Sequence, residues 1–435
     1  MDFVPHTDDD IAAMLETVGL DDAARLFDSI PSQLRLDRDL DVPGPLSELE
    51  TRRLLSGYAA RNRDDLVCFA GAGAYDHDLP AVVRALVRPE FATSYTPYQP
   101  EVAQGVLQGL FEYQSILCTL TGMEVANASL YDGASALVEG VNLAVAATGR
   151  DDVWVSRAVN PRFREVLLTC AGAAGHRVVE CDDWPSSGDP AALVVGQPDY
   201  FGRLVDVAAE AERAHALGAL LVVVLDPLAP GLVRRPGDDG ADVVVGEGQL
   251  FGSPLNFGGP YLGLFATTLA HVRQVPGRIV GETLDADGRR CYVLTLQARE
   301  QHIRREKAQS NVCTNQTLMA LACAIHLSWL GPHGLRELAL LSARKAHYAA
   351  DQLAAVTGCE LLFPERPFLR EFAVKVPAPS AEVLAALVDE GFLGGVDLRA
   401  DYPEVGDALL VAVTEKRTRE EIDGLAAALA KAVSS

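Results

Sequence analysis

The chain has 435 residues, 49% hydrophobic and 22% charged, with 60 Asp and Glu against 37 Lys and Arg and a formal net charge of -23. That length accommodates one large core with a smaller appended domain, and the composition is that of an ordinary globular protein. The negative balance disfavours nucleic acid and anionic membrane as partners, since both call for positive surface; no run of about 18 apolar residues marks a membrane span.

Acidic residues in "MDFVPHTDDDIAAML" stand where a signal peptide needs a basic segment, and no apolar stretch follows; a cytoplasmic chain is expected. The eight cysteines have no metal-ligand spacing and fall mostly in apolar segments, which predicts reduced, buried thiols and no metal site. Thr7 ahead of Asp8, Asp9 and Asp10 predicts a capped helix, with Ile11, Met14, Leu15 and Val18 at helical spacing. A Pro- and Asp-rich connection leads to a second helix from Ser47. Residues 1–64 therefore read as an N-terminal helical arm of the kind that wraps a neighbour or a later domain.

From residue 65 the texture changes. Helices are predicted near 79–88, 100–122 and 133–148, then strands and helices alternate. "DVWVS", "HRVVEC", "ALVVGQP", "ALLVVVLD" and "ADVVVGE" read as strands; "PRFREVLLTCAGAAG" and "VDVAAEAERAHALG" read as helices. Runs of β-branched residues between helices predict an α/β fold, a mostly parallel sheet sandwiched by helices, over residues 65–325. A long helical region near 315–357 follows. "REFAVKV", "SAEVLAALVDEG", "ALLVAVTE" and a helix from Thr418 then form a small α+β domain, so that 326–435 comprise a connecting helix and that domain.

Three features of the large domain look like parts of one pocket. Asp132, Gly133, Ala134 and Ser135 open a helix, where free N–H groups and the dipole suit a phosphate; alone, the turn reads equally as a plain capped helix start. Asp226 ends the strand "ALLVVVLD", where open α/β sheets place ligands. An Asp there can pair with a protonated ring nitrogen, as in pyridoxal-phosphate enzymes, or merely close an Asp–Pro turn. Third, "ADVVVGEGQLFGSPLNFGGPYLGLFA" reads as a strand, a glycine-rich loop and another strand.

Pyridoxal chemistry needs a lysine, because only an amine forms the Schiff base. The chain's lysines are Lys307, Lys345, Lys375, Lys416 and Lys431, and the first 306 residues contain none. Gln249 stands where the amine belongs. Elsewhere, Tyr95 and Tyr98 flank a Thr-Pro in an extended segment and are candidates to bind a small substrate or to pack half-buried. Arg299, Arg304, Arg305 and Lys307 concentrate positive charge, read either as a solvated helix face or as an anion-docking patch. Just beyond, Ser310, Asn311, Thr314, Asn315 and Gln316 precede a helix and can donate hydrogen bonds to a phosphate.

"FAGAGAYDHDLPAVV", "TSYTPYQPEVAQGVLQGLFEYQSILCTLTGMEVANASLYDGASAL", "FGGPYLG" and "REQHIRREKAQSNVCTNQ" closely resemble the P-protein of the glycine cleavage system, and more narrowly its α, or N-terminal, subunit in the two-chain form. The resemblance spans nearly the whole chain. It implies a fold-type-I pyridoxal-phosphate architecture and a glycine dehydrogenase (aminomethyl-transferring, decarboxylating) activity, with the aminomethyl group passing to the lipoyl arm of H-protein. In that family the lysine lies in an H-K-T motif of the β subunit, and Gln249 aligns with it. The resemblance thus implies a β partner that carries the pyridoxal phosphate covalently, in an α2β2 assembly. Tyr95, Tyr98 and the segment with Ser310, Asn311, Thr314 and Asn315 would face the partner's cofactor. Asp132, Gly133, Ser135, Asp226 and Gln249 would line a vestigial pocket. Two alternatives stand beside this reading: a self-sufficient pyridoxal-phosphate enzyme using Lys307, or a non-catalytic interaction subunit.

Overall fold

In the strand Ala192–Gln197 successive side chains divide between two cores. Leu193 and Val195 enter one; Ala192 and Val194 enter the other. That alternation, with every residue of the strand buried, is the mark of a sheet covered on both faces. The computed structural model describes residues 5–36, 38–92, 95–256 and 258–434. The chain divides into two units, Met1–Asp64 and Asp65–Ser435.

In the first unit, Asp8–Val18 and Glu48–Ala59 are helices, each opened by a capping box, Thr7 with Asp10 and Ser47 with Glu50. The hydroxyl accepts an orphan N–H of the first turn while the carboxylate returns a bond to the cap. No described side chain of this unit is buried, and Met14, Phe27, Leu34 and Leu55 are exposed.

The second unit is built on seven strands: β1 (Val125–Ala126), β2 (Asp152–Ser156), β3 (Arg177–Cys181), β4 (Ala192–Gln197), β5 (Leu220–Leu225), β6 (Val243–Glu247) and β7 (Gly263–Thr267). Their order is β1-β7-β6-β5-β4-β2-β3. Strands β2 to β6 pair in parallel, and β7 runs antiparallel to both β6 and β1. Helices Gly133–Thr148 and Pro161–Ala174 cover one face; Gln104–Thr121, Val207–Ala216 and the start of Thr317–Ala354 cover the other. The 38-residue helical run Thr317–Ala354 is long and apolar enough to pass for a membrane span by composition. Gly331 (φ 60°, ψ -176°), just ahead of Pro332, breaks it into two helices, and Ala320 and Cys323 of the first are in the core.

The C-terminal domain is an antiparallel sheet of Glu360–Leu361, Glu371–Lys375, Ala408–Ala412 and Val396–Asp397, in that order. Helices Ser380–Asp389 and Arg419–Ser434 contribute to its core. Val67–Cys68 pairs in parallel with Phe392–Leu393, and Phe69 enters this core. The chain therefore touches the C-terminal domain before it builds the large one. Gly202 (φ +84°) marks where the two meet: a Cβ there would lie 1.8 Å from the Glu371 carbonyl oxygen.

Two expectations are corrected. Cys181, Cys323 and Cys359 are buried, but Cys170 and Cys313 are exposed. The basic run is no extended solvated helix, since only Gln301–Arg304 is α-helical and Arg299 turns inward to donate to the Val275 carbonyl. A hairpin unforeseen in the sequence, Ile279–Leu284 with Arg290–Thr295, lies against the helix Gln104–Thr121. Gln114 closes that contact, donating to the Val280 carbonyl at 3.0 Å and accepting its N–H at 2.9 Å.

Candidate active site

Strands β5 and β6 end side by side, and their C-terminal ends face a cavity of about 80 Å³. Asp226 follows β5 directly; Gln249 follows β6 by two residues. From the C-terminal domain Arg370 and Glu371 close the cavity, and Tyr75 and Asn160 complete the wall.

Most polar groups of this pocket are answered from within the chain, Arg370 Nε being a buried donor without a hydrogen-bond partner. Arg370 Nη2 lies 2.7 Å from Asp226 Oδ2, and its guanidinium carbon is 3.6 Å from the Tyr75 ring centroid. Arg370 Nη1 meets His77 Nε2, whose Nδ1 lies 2.5 Å from Glu415 Oε2. This arrangement suits a neutral His77, and burial lowers its pKa in the same sense. The Tyr75 hydroxyl donates to Glu371 at 2.7 Å, and the Ala72 N–H donates to the other oxygen of that carboxyl at 2.7 Å. Gln249 accepts the Tyr75 N–H at 3.0 Å and donates to the Ser253 carbonyl at 2.9 Å.

Glu247 is the least expected member. Its carboxyl accepts the Gly133 N–H at 2.9 Å, the Gln249 N–H at 2.9 Å and the Leu262 N–H at 3.1 Å. Gly133 is the first residue of its helix, so a side-chain carboxylate takes the place at a helix N-terminus that a bound phosphate could use. Burial pushes this carboxyl up to about 7 against those three donors, and burial brings Glu371 to about 7 as well.

A second cluster lies outside the cavity. Tyr95 is 87% exposed and Tyr98 43% exposed. The Tyr98 hydroxyl is 3.4 Å from Arg278 Nη2, and its ring meets His302 edge-on at 5.7 Å. Arg278 also bonds the Cys313 carbonyl and, at 3.1 Å, Asn315 Oδ1. Tyr98 and the 310–316 segment thus meet at one guanidinium.

The profile of the glycine cleavage system P-protein family matches residues 1–429. The chain belongs to the P-protein family. It is 48% identical over 443 residues to a Desulforamulus reducens protein named "Probable glycine dehydrogenase (decarboxylating) subunit 1", covering 99% of each chain. A Moorella thermoacetica protein of the same name is 47% identical over 441 residues, again with 99% coverage of both. The crystal structure of glycine decarboxylase (P-protein) in inhibitor-bound form superposes with a TM-score of 0.91 at 44% identity, over 99% of this chain and 100% of that one. A sphingosine-1-phosphate lyase from Burkholderia pseudomallei shares the fold alone, with a TM-score of 0.65 at 14% identity over 93% and 94% of the two chains. The architecture is that of fold-type-I pyridoxal-phosphate enzymes.

The cofactor typical of that fold does not fit this P-protein chain's own pocket. Ligand pockets run to about 300–1,000 Å³, several times the cavity here. Glu247 holds the Gly133 N–H, Arg370 neutralises Asp226, and Gln249 offers an amide for an amine. Of the residues expected to line this pocket, Asp226 and Gln249 do so. Asp132 instead caps its helix by accepting the Ser135 N–H at 2.7 Å, Gly133 is reached through Glu247, and Ser135 does not face the cavity.

None of Tyr95, Tyr98, Ser310, Asn311, Thr314 or Asn315 lines the cavity. Asn311 and Thr314 are exposed, whereas Ser310 is half-buried beside the half-buried Glu139. The Asn315 amide is spent inside the chain, accepting from Arg278 and donating to the Ala128 carbonyl at 3.0 Å, which leaves it no group for a cofactor. Lys307 is exposed in a short 3-10 turn and does not line the cavity at the strand ends. Sequence reasoning missed Tyr75, His77, Arg370, Glu371 and Glu415, which come from opposite ends of the chain. It also missed Arg278, whose one local signal is a Pro-Gly turn before a strand.

Proposed function

We propose that this chain is the subunit without the cofactor lysine in a two-chain glycine dehydrogenase (decarboxylating). The observation that carries the reading is Gln249: buried, with its amide bonded at both ends, it stands after β6 where an amine would be needed. A β subunit supplies that amine and holds pyridoxal phosphate in an α2β2 assembly in the cytoplasm. There the cofactor provides the electron sink for loss of carbon dioxide from glycine. The aminomethyl group is handed to the lipoyl arm of H-protein.

This chain's part is to complete the partner's site. Tyr95 and Tyr98 are accessible phenols on a Pro-bounded segment, suited to hydrogen bond the glycine carboxylate without the lasting grip of an ion pair. Asn311 and Thr314 present polar side chains on the neighbouring segment, within reach of an anionic group; Ser310 and Asn315 fix that segment from inside.

The test uses three samples: this chain, the β subunit, and the two mixed. After pyridoxal phosphate and borohydride, intact mass is expected to show a reduced adduct on the β subunit alone, with glycine–bicarbonate exchange in the mixture alone. An adduct on this chain at Lys307 would support a self-sufficient enzyme. Full exchange by the β subunit alone would reduce this chain to a non-catalytic role.

A further inference from the structure

Arg278 is 3% exposed, yet among the described residues no carboxylate forms a salt bridge with it; the buried Glu300 feels its charge without bonding it. A buried guanidinium is expensive unless its donors are answered. Here the acceptors are neutral, and all belong to the second cluster: the Tyr98 hydroxyl at 3.4 Å, Asn315 Oδ1 at 3.1 Å and the Cys313 carbonyl. Its Nε has no partner. The guanidinium carbon is also 5.6 Å from the Tyr98 ring centroid, close enough for a cation–π contact.

The second side of the hub is equally defined. Asn315 passes the contact on to the Ala128 carbonyl and, at 3.4 Å, to Ser129 Oγ, which also accepts the Gln316 N–H at 3.0 Å. Ser129 is held at φ +116°, a conformation that favours glycine. The strained Ser129 turn, the start of the helix Thr317–Ala354 and the tyrosine segment are thereby tied to one side chain. Tyr98 belongs to no helix or strand; the polar side chain that holds its hydroxyl is Arg278.

We infer that Arg278 is a positioning residue that aims the Tyr98 hydroxyl at the substrate carboxylate, an inference resting on the role proposed for Tyr98 above. Arg278 donates to the phenolic oxygen, so the Tyr98 O–H is left to point outward as a donor. Being buried, Arg278 does not touch substrate. Its positive charge behind the phenol favours an anionic ligand in front of it. Lysine would keep the charge but not the planar fork that serves three acceptors at once.

The experiment is a double-mutant cycle in the assembled two-chain enzyme, read as kcat/KM for glycine in the exchange reaction. Arg278→Lys and Tyr98→Phe are each expected to lower kcat/KM about tenfold, the worth of one hydrogen bond of about 1.4 kcal/mol. Assembly by gel filtration and the melting temperature should stay near wild type. The double variant should be no worse than the poorer single one, since both remove the same contact. Losses that multiply, or an Arg278→Lys enzyme with full activity, overturn the inference. Should Arg278→Lys fail to assemble, Asn315→Asp gives the guanidinium a carboxylate to close on, draws it from Tyr98, and must show the same non-additivity with Tyr98→Phe. An inactive wild-type mixture would instead sink the proposed function itself, and an unaffected Tyr98→Phe would remove the tyrosine's role and this inference with it.

Discussion

Arg370 Nη2 stands 2.7 Å from Asp226 Oδ2, joining the C-terminal domain to the end of the large domain's strand β5. The contact places a cation from residue 370 where a pyridinium ring would otherwise meet the Asp. With Arg370 also against the Tyr75 ring and bonded to His77, the pocket is closed by the chain's own charges.

Removing that cation should therefore be costly. Arg370→Ala leaves Asp226 without its ion-pair partner and bares the face of Tyr75. Breaking a buried pair on one side costs about 3–5 kcal/mol, and denaturant unfolding of the variant against wild type is expected to show a loss of that order. A loss below about 0.5 kcal/mol, the size of an ordinary surface change, would mean that the pair does not hold the domains.

Restoring the amine alone should not restore the site. Gln249→Lys supplies the nucleophile but leaves Glu247 on the Gly133 N–H, Arg370 on Asp226, and a cavity of about 80 Å³. Incubated with pyridoxal phosphate and borohydride, the isolated variant is expected to gain no adduct at residue 249 by peptide mass. An adduct there would show that the lysine was the one missing part.

The partly buried Glu139 gives a pH dependence whose sign is fixed. Burial raises Glu139 from an ordinary 4.5 to about 7. A carboxyl raised in the folded state binds its proton more tightly there than in the unfolded chain. Its stabilising effect is full below about pH 4.5 and is lost as pH rises through about 7. Glu139→Gln has no proton to lose, so its stability relative to wild type should rise between about pH 5 and about pH 8. A constant difference in melting temperature across that range would contradict the shift.

The fold was largely written in local patterns. The β-branched runs that became β2 to β6 and the helix starting at Gly133 need no distant information, because strand burial and helix capping are local. Asp226 and Gln249 could be placed because a strand end locates them. Glu247 was visible as an acid but not as the acceptor of the Gly133 N–H, a contact across 114 residues. Tyr75, His77, Arg370 and Glu415 were hidden for the same reason: His77 and Glu415 are 338 residues apart, and the stretch "FAGAGAYDHDLPAVV" that holds Tyr75 and His77 carries no sign of the partners they meet. Arg278 shows the reverse case. Its neighbours Tyr98 and Asn315 were singled out, while the residue joining them looked like an ordinary charge after a turn.

Cys313 offers a direct probe of the proposed subunit face. It lies between Asn311 and Thr314 with an exposed side chain, and its carbonyl is held by Arg278, so its position reports on the Tyr98 cluster. Cys170, also exposed, is on the helix Pro161–Ala174 and serves as an internal control. In the isolated chain, maleimide should label Cys313 and Cys170 well before the buried Cys181, Cys323 and Cys359, because reaction requires both access and thiolate, and burial denies the first while raising the pKa of the buried three. Adding the β subunit should slow labelling of Cys313 by about tenfold or more while leaving Cys170 unchanged, since protection tracks the fraction of time the site is open. Peptide mass mapping over time separates the two sites. If Cys313 stays as reactive in an active mixture as in the free chain, the 310–316 segment does not face the partner, and Tyr98, joined to it through Arg278, loses its place in the shared site.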